Sequence, residues 1–171
     1  MSDPHGLAET EQAMSAAVGH LPLDFPAASA VSSLYRAANA ARSYLTNQVL
    51  RPHDLTWTSF VVLWVVWIWD GLETRHVAES AGISKATLTG VAKTLESRGL
   101  LTRRTRSSDR RLVLLELTDA GRELMGELYP RFNAAEAELV ADLDRQQVVH
   151  MTDSLRQVVQ TVEVRTHPDA H

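Results

Sequence analysis

The chain has no cysteine, which excludes disulfides, thiolate zinc sites and thiol-based redox sensing. Its longest apolar run, Phe60 to Trp69, is ten residues, whereas a bilayer span needs about twenty. That run therefore reads as a buried helix. The first residues, MSDPHGLAETEQ, lack the basic-then-apolar order of a secretory signal, and a cytoplasmic protein is expected. No two of the seven histidines stand at i, i+4 spacing within a predicted helix, so no metal site is expected. A Gly-rich phosphate loop and a G-x-S-x-G elbow are also missing. The sequence gives no reason to expect an enzyme or a cofactor.

What the chain does have is 171 residues, 44% of them hydrophobic and 22% charged, enough for one domain with appendages. Its formal net charge of -4 hides an asymmetry. Residues 1–73 carry 3 basic and 7 acidic groups, and residues 112–171 carry 5 and 11. Residues 74–111 carry 9 basic and 3 acidic groups, a basic island between acidic arms. Within it RRTRSSDRR, residues 103–111, holds five arginines in nine positions. Such concentration points to a polyanion partner.

Periodicity organises the rest. Residues 1–26, with Pro4, Pro22 and Pro26, read as an N-terminal tail with room for a short helix over 8–18. From Ala27 to Leu50 apolar residues recur every three to four positions, the pattern of an amphipathic helix, and Arg51-Pro52-His53-Asp54 breaks it. Thr56 is placed to cap the next helix, which ends near Asp70-Gly71. Its apolar residues occupy both faces, so it is expected between two layers. Thr74–Ala81 and Ser84–Arg98 predict a short helix and a second helix, stopped by Gly82 and Gly99. Leu100–Arg104 and Leu112–Leu117 predict a β-hairpin with a polar tip. Thr118 caps a long helix containing Pro130, which should kink it. Asp144-Arg145-Gln146-Gln147 resembles a capping box opening a last helix with an apolar stripe. The expected fold is mostly α with a small β-hairpin wing: a winged helix-turn-helix over 56–118, with helical dimerisation regions at 27–55 and 119–165.

A helix lying in a major groove reads bases from its N-terminal part. The outward side of the second helix offers Ser84, Lys85, Ala86, Thr87, Thr89, Gly90 and Lys93 for that role. The lysines suit phosphates or guanine edges, and the threonines offer a hydroxyl and a methyl. Ala86 and Gly90 add little bulk. The wing arginines, Arg103, Arg104, Arg106, Arg110 and Arg111, suit a narrow minor groove, where negative potential is concentrated. A winged helix used for protein contact is the competing reading. It gives no reason to gather arginine.

Three stretches resemble the MarR family (multiple antibiotic resistance regulators): DLTWTSFVVL (54–63), TRHVAESAGISKATLTGVAKTLESRGLLTRR (74–104), and the wing pattern D-x-R-x-x-x-L-x-L-T from Asp109 to Thr118. DAGREL (119–124) fits the start of that family's long fifth helix, and the likeness spans about residues 30–165. The resemblance implies a homodimer on a pseudo-palindromic operator in double-stranded DNA. It implies that Asp109 braces the wing through an arginine and that Arg111 lies nearest the DNA. It also implies a small aromatic or phenolic acid as effector. Arg36, Arg42 and His53 would serve its carboxylate, and Trp57, Trp64, Trp67 and Trp69 would form flat walls. The tryptophan-rich helix and the N-terminal tail depart from the family pattern.

Overall fold

The computed structural model describes residues 6–106 and 109–166, except for the side chains of residues 7, 8, 11, 15 and 105–112. The described chain forms two compact units that divide between Tyr44 and Leu45.

The first unit holds helix α1 (Leu7–Val18) and most of α2 (Phe25–Leu45). Helix α2 begins two residues before the Ala27 start expected from periodicity. Asp24 accounts for the difference: its Oδ1 accepts the Ala27 N–H at 3.0 Å. Pro26 is tolerated in the first turn because its missing N–H would have no partner there.

The second unit opens on a single π-helical turn, Thr46–Leu50, and a 3-10 turn, Arg51–His53. The expected break at Arg51-Pro52 is thus a tightening of the coil, ended by Asp54 in the left-handed region at φ 52°. Helix α3 (Trp57–Trp69) follows, capped as expected: the Ser59 N–H donates to Thr56 Oγ1 at 3.1 Å. Val62, Leu63, Val65 and Val66 are fully buried. The opposite face is covered only in part: Phe60 is buried, but Trp64 and Ile68 are 36% and 52% exposed. The expectation of a helix enclosed on both faces therefore fails for the single chain. Trp69 is 64% exposed, because the helix ends at it and Asp70 turns away at φ 45°.

Strand β1 (Leu72–Glu73), helices α4 (Thr74–Ser80) and α5 (Lys85–Ser97), and strands β2 (Leu101–Arg106) and β3 (Asp109–Leu117) complete the winged lobe. The sheet is antiparallel with order β1-β3-β2. Leu101 faces Leu117, and Leu72 and Arg103 flank Leu115. The expected hairpin is present. The two-residue β1 that joins it was not, being too short to show an alternating pattern. Leu115 and Leu95 are fully buried, and Leu101, Leu117, Leu88 and Ala92 nearly so.

Helix α6 (Asp119–Leu139) contains Pro130 without interruption and buries Met125, Leu128 and Phe132. Phe132 stacks on Phe60 of α3, with ring centroids 4.2 Å apart. Thr118 caps α6 as expected. Helix α7 (Arg145–Thr166) opens on the expected capping box. Asp144 Oδ1 accepts the Gln147 N–H at 2.8 Å, and Gln147 Oε1 accepts the Asp144 N–H at 2.9 Å. No residue of α7 is buried. Among the described residues, no helix is long and apolar enough to cross a membrane.

Candidate nucleic-acid interface

The turn between α4 and α5 is built by Gly82, held at φ 63°, a conformation that costs glycine little. The Ile83 N–H then donates to the Ala78 carbonyl at 3.0 Å, closing the end of α4. Ser84 follows as N-cap, its Oγ accepting the Thr87 N–H at 3.0 Å. These local bonds point the first turn of α5 outward.

Leu88, Ala92 and Leu95 take the inward stripe, so the other residues must face solvent. Ser84, Lys85, Ala86, Thr87, Thr89, Gly90 and Lys93 are all exposed. Neither Lys85 nor Lys93 is in an ion pair among the described residues. Both ammonium groups are available to an outside anion. The Thr89 hydroxyl donates to the Lys85 carbonyl at 2.9 Å, which leaves its oxygen lone pairs and methyl outward.

Gly90 has open space around it: a Cβ there would meet nothing within 4 Å. Gly90→Ala is therefore expected to stabilise the helix, by up to about 1 kcal/mol. If a groove wall must come within reach of the backbone at this point, the same change weakens duplex binding. Thermal melting beside a mobility-shift titration checks this; equal affinity would mean the glycine is merely tolerated.

The wing divides into a described root and a tip. At the root, Arg103 Nε lies 3.1 Å from Glu96 Oε2, and Arg104 NH1 lies 3.6 Å from Glu116 Oε1. Both arginines thus have partners inside the chain, which the sequence did not foreshadow. At the tip, Arg106 pairs in register with Asp109. The side chains of Arg106, Asp109, Arg110 and Arg111 lie outside the described residues.

Arg75 was also absent from the sequence expectation. It joins Thr74, Lys85, Leu88, Thr89 and Arg103 around a cavity of about 330 Å³ between α4, α5 and the wing root. Two further arginines brace the lobe. Arg98 donates to the carbonyls of Asp54 and His53 at 2.7 and 2.9 Å, pinning the end of α5 to the 3-10 turn. Arg122 pairs with Asp70 at 2.9 Å, tying α6 to the end of α3. The partners lie 44 to 52 residues apart in the chain, a separation that leaves no local sequence signal.

The residues expected to hold an effector fall in both units. In the first, Arg36 NH2 donates to Thr10 Oγ1 at 3.2 Å, and Arg42 is exposed on the last turn of α2. In the second, Trp57 stands 6.1 Å from Phe132 and Trp67 meets Tyr129 edge-on at 5.6 Å. Trp64 and Trp69 remain exposed, and His53 is half-buried in the 3-10 turn.

Residues 55–113 match the model of the MarR family. The chain is 40% identical over 136 residues to an uncharacterised HTH-type transcriptional regulator, YwaE, of Bacillus subtilis, covering 80% of each protein. It is 35% identical over 97 residues to the HTH-type transcriptional regulator TtmR of Methylorubrum extorquens, covering 56% of this chain and 49% of that one. Among solved structures it resembles Bordetella bronchiseptica BpsR, whose DNA binding is regulated by 6-hydroxynicotinic acid. There the TM-score is 0.69 and the identity 28%, over 76% of this chain and 98% of that one. It shares its fold with a cysteine-to-serine variant of E. coli MarR complexed with operator DNA, with a TM-score of 0.66 at 23% identity, over 74% and 91%.

Proposed function

The chain belongs to the MarR family of transcriptional regulators, and from that premise we propose that it is a homodimeric repressor released from its operator by a small aromatic or phenolic acid. It works in the cytoplasm, where the DNA is. One observation carries the duplex reading: the outward side of α5 is small, polar or cationic, and neither of its lysines has an ion-pair partner among the described residues.

Dimerisation is supported by α7, whose apolar residues Val149, Leu155, Val158, Val159 and Val162 are 39% to 56% exposed. A helix that buries nothing in its own protomer gains little from folding alone. A twofold axis then calls for a pseudo-palindromic site with half-sites about one helical turn apart.

The effector proposal rests on residue chemistry and on BpsR. A flat aromatic ring needs apolar faces such as those of Trp57 and Trp67.

Lys85→Ala/Lys93→Ala tests the duplex reading. Each phosphate contact releases counterions, so losing two should lower affinity about 30-fold near 0.15 M salt and flatten the log–log salt slope by nearly two. The thermal midpoint should barely move, because neither lysine is paired. Unchanged affinity and slope would take α5 off the DNA. Mobility shifts on the chain's own upstream DNA, repeated with a panel of aromatic acids, test release. Binding that no acid relieves favours the second reading, a regulator without a small-molecule effector.

A further inference from the structure

Two arginines border the 330 Å³ cavity between α4, α5 and the wing root, and both are held in the same way. Arg75 is approached through its Nε by Glu73 Oε2 at 3.3 Å, and Arg103 through its Nε by Glu96 Oε2 at 3.1 Å. In the ion pairs of Arg104, Arg122 and Arg156 the carboxylate meets NH1 instead. The difference matters chemically. A guanidinium has two hydrogen-bonding edges, and a carboxylate on the Nε side leaves the NH1/NH2 fork for another acceptor. Among the described residues neither Arg75 nor Arg103 has a second partner.

Lys85 adds an ammonium with no ion-pair partner among the described residues, and Thr74 and Thr89 add small polar side chains. The holding carboxylates are themselves well placed, Glu73 being 18% exposed and Glu96 30%. Fixing a long side chain before a ligand arrives removes rotamer entropy that binding would otherwise cost.

We propose that this cavity seats a backbone phosphate of the duplex between the forks of Arg75 and Arg103, and that Glu73 and Glu96 are positioning residues that aim those forks. The proposal rests on the DNA reading above and extends the contact surface from α5 to α4 and the wing root. It makes a counterintuitive claim: an acidic residue beside a polyanion's path strengthens binding.

Glu96 allows the sharper test, because it sits half-buried in the last turn of α5, a helical position that alanine suits. The probe is a mixed-sequence duplex of about 30 base pairs, suited to a contact that reads no bases. Simple charge repulsion requires E96A and E96Q both to bind more tightly than wild type. Positioning requires E96A to bind about threefold to tenfold more weakly. E96Q, whose amide oxygen still accepts the Nε–H, should stay within about twofold of wild type. R103A should lower affinity about fivefold and reduce the salt slope by about one. In that background E96A should have no further effect.

The proposal is overturned if E96A binds as tightly as wild type or more so, if E96Q falls as far as E96A, or if E96A still weakens binding without Arg103. Exchanging chloride for inorganic phosphate at matched ionic strength should leave wild-type affinity nearly unchanged. A wild-type protein that binds no duplex at all would instead overturn the DNA reading itself.

Discussion

Leu155→Glu/Val159→Glu is expected to leave a folded protomer that sediments as a monomer and binds duplex at least about 100-fold more weakly. Both side chains are exposed, at 39% and 56%, so the glutamates disturb no packing within the protomer. Across a twofold interface each substitution appears twice, and four carboxylates would be brought together in an apolar contact. Burying unpaired charge is costly, and dissociation relieves it. The loss of duplex binding follows from geometry: a monomer holds one half-site and forfeits the effective concentration that a tethered second lobe supplies. Light scattering and a mobility-shift titration on the same sample measure both effects. A variant that remains dimeric would move the interface off this stripe of α7, and a monomer with full affinity would remove the need for two lobes.

Gly121→Ala should be the most damaging single-methyl change in the winged lobe. Alanine normally helps a helix interior by up to about 1 kcal/mol, but here the added Cβ would overlap the carbonyl oxygen of Leu100 and stand 3.1 Å from its carbon. That carbonyl cannot swing aside cheaply, because it accepts the Thr118 N–H at 3.2 Å. The Thr118 hydroxyl in turn donates to the Gly99 carbonyl at 2.6 Å and accepts the Gly121 N–H at 3.0 Å. Either α6 or the start of β2 must shift. A loss of about 2–3 kcal/mol is expected, read as a fall in thermal midpoint of roughly 5–12 °C. Gly126 on the same helix is the control, since a Cβ there meets nothing within 4 Å. A midpoint for Gly121→Ala as high as that for Gly126→Ala would show that the close approach does not constrain the fold.

Much of the lobe was legible from local chemistry. Thr56, Ser84, Thr118 and Asp144 cap the helices expected of them, since a cap is fixed by one side chain and the three residues after it. The reading surface of α5 was legible for a similar reason. Once Leu88, Ala92 and Leu95 face inward, a period of 3.6 sends Ala86, Gly90 and Lys93 outward. The wing arginines were legible as a concentration of charge, but their engagements were not. Glu96 meets Arg103 only because α5 and the sheet come together, and Glu116 meets Arg104 across the β2–β3 ladder.

The amino-acid sequence by itself determined the helical periods, their caps and stops, and the basic island between acidic arms, all set by residues within a few positions of one another. Tertiary structure alone decided three further points. It left part of α3 and the apolar stripe of α7 uncovered, joined a third strand to the wing, and brought the Glu73–Arg75 and Glu96–Arg103 pairs to one cavity. These depend on which distant surfaces meet, and no interval along the chain encodes that.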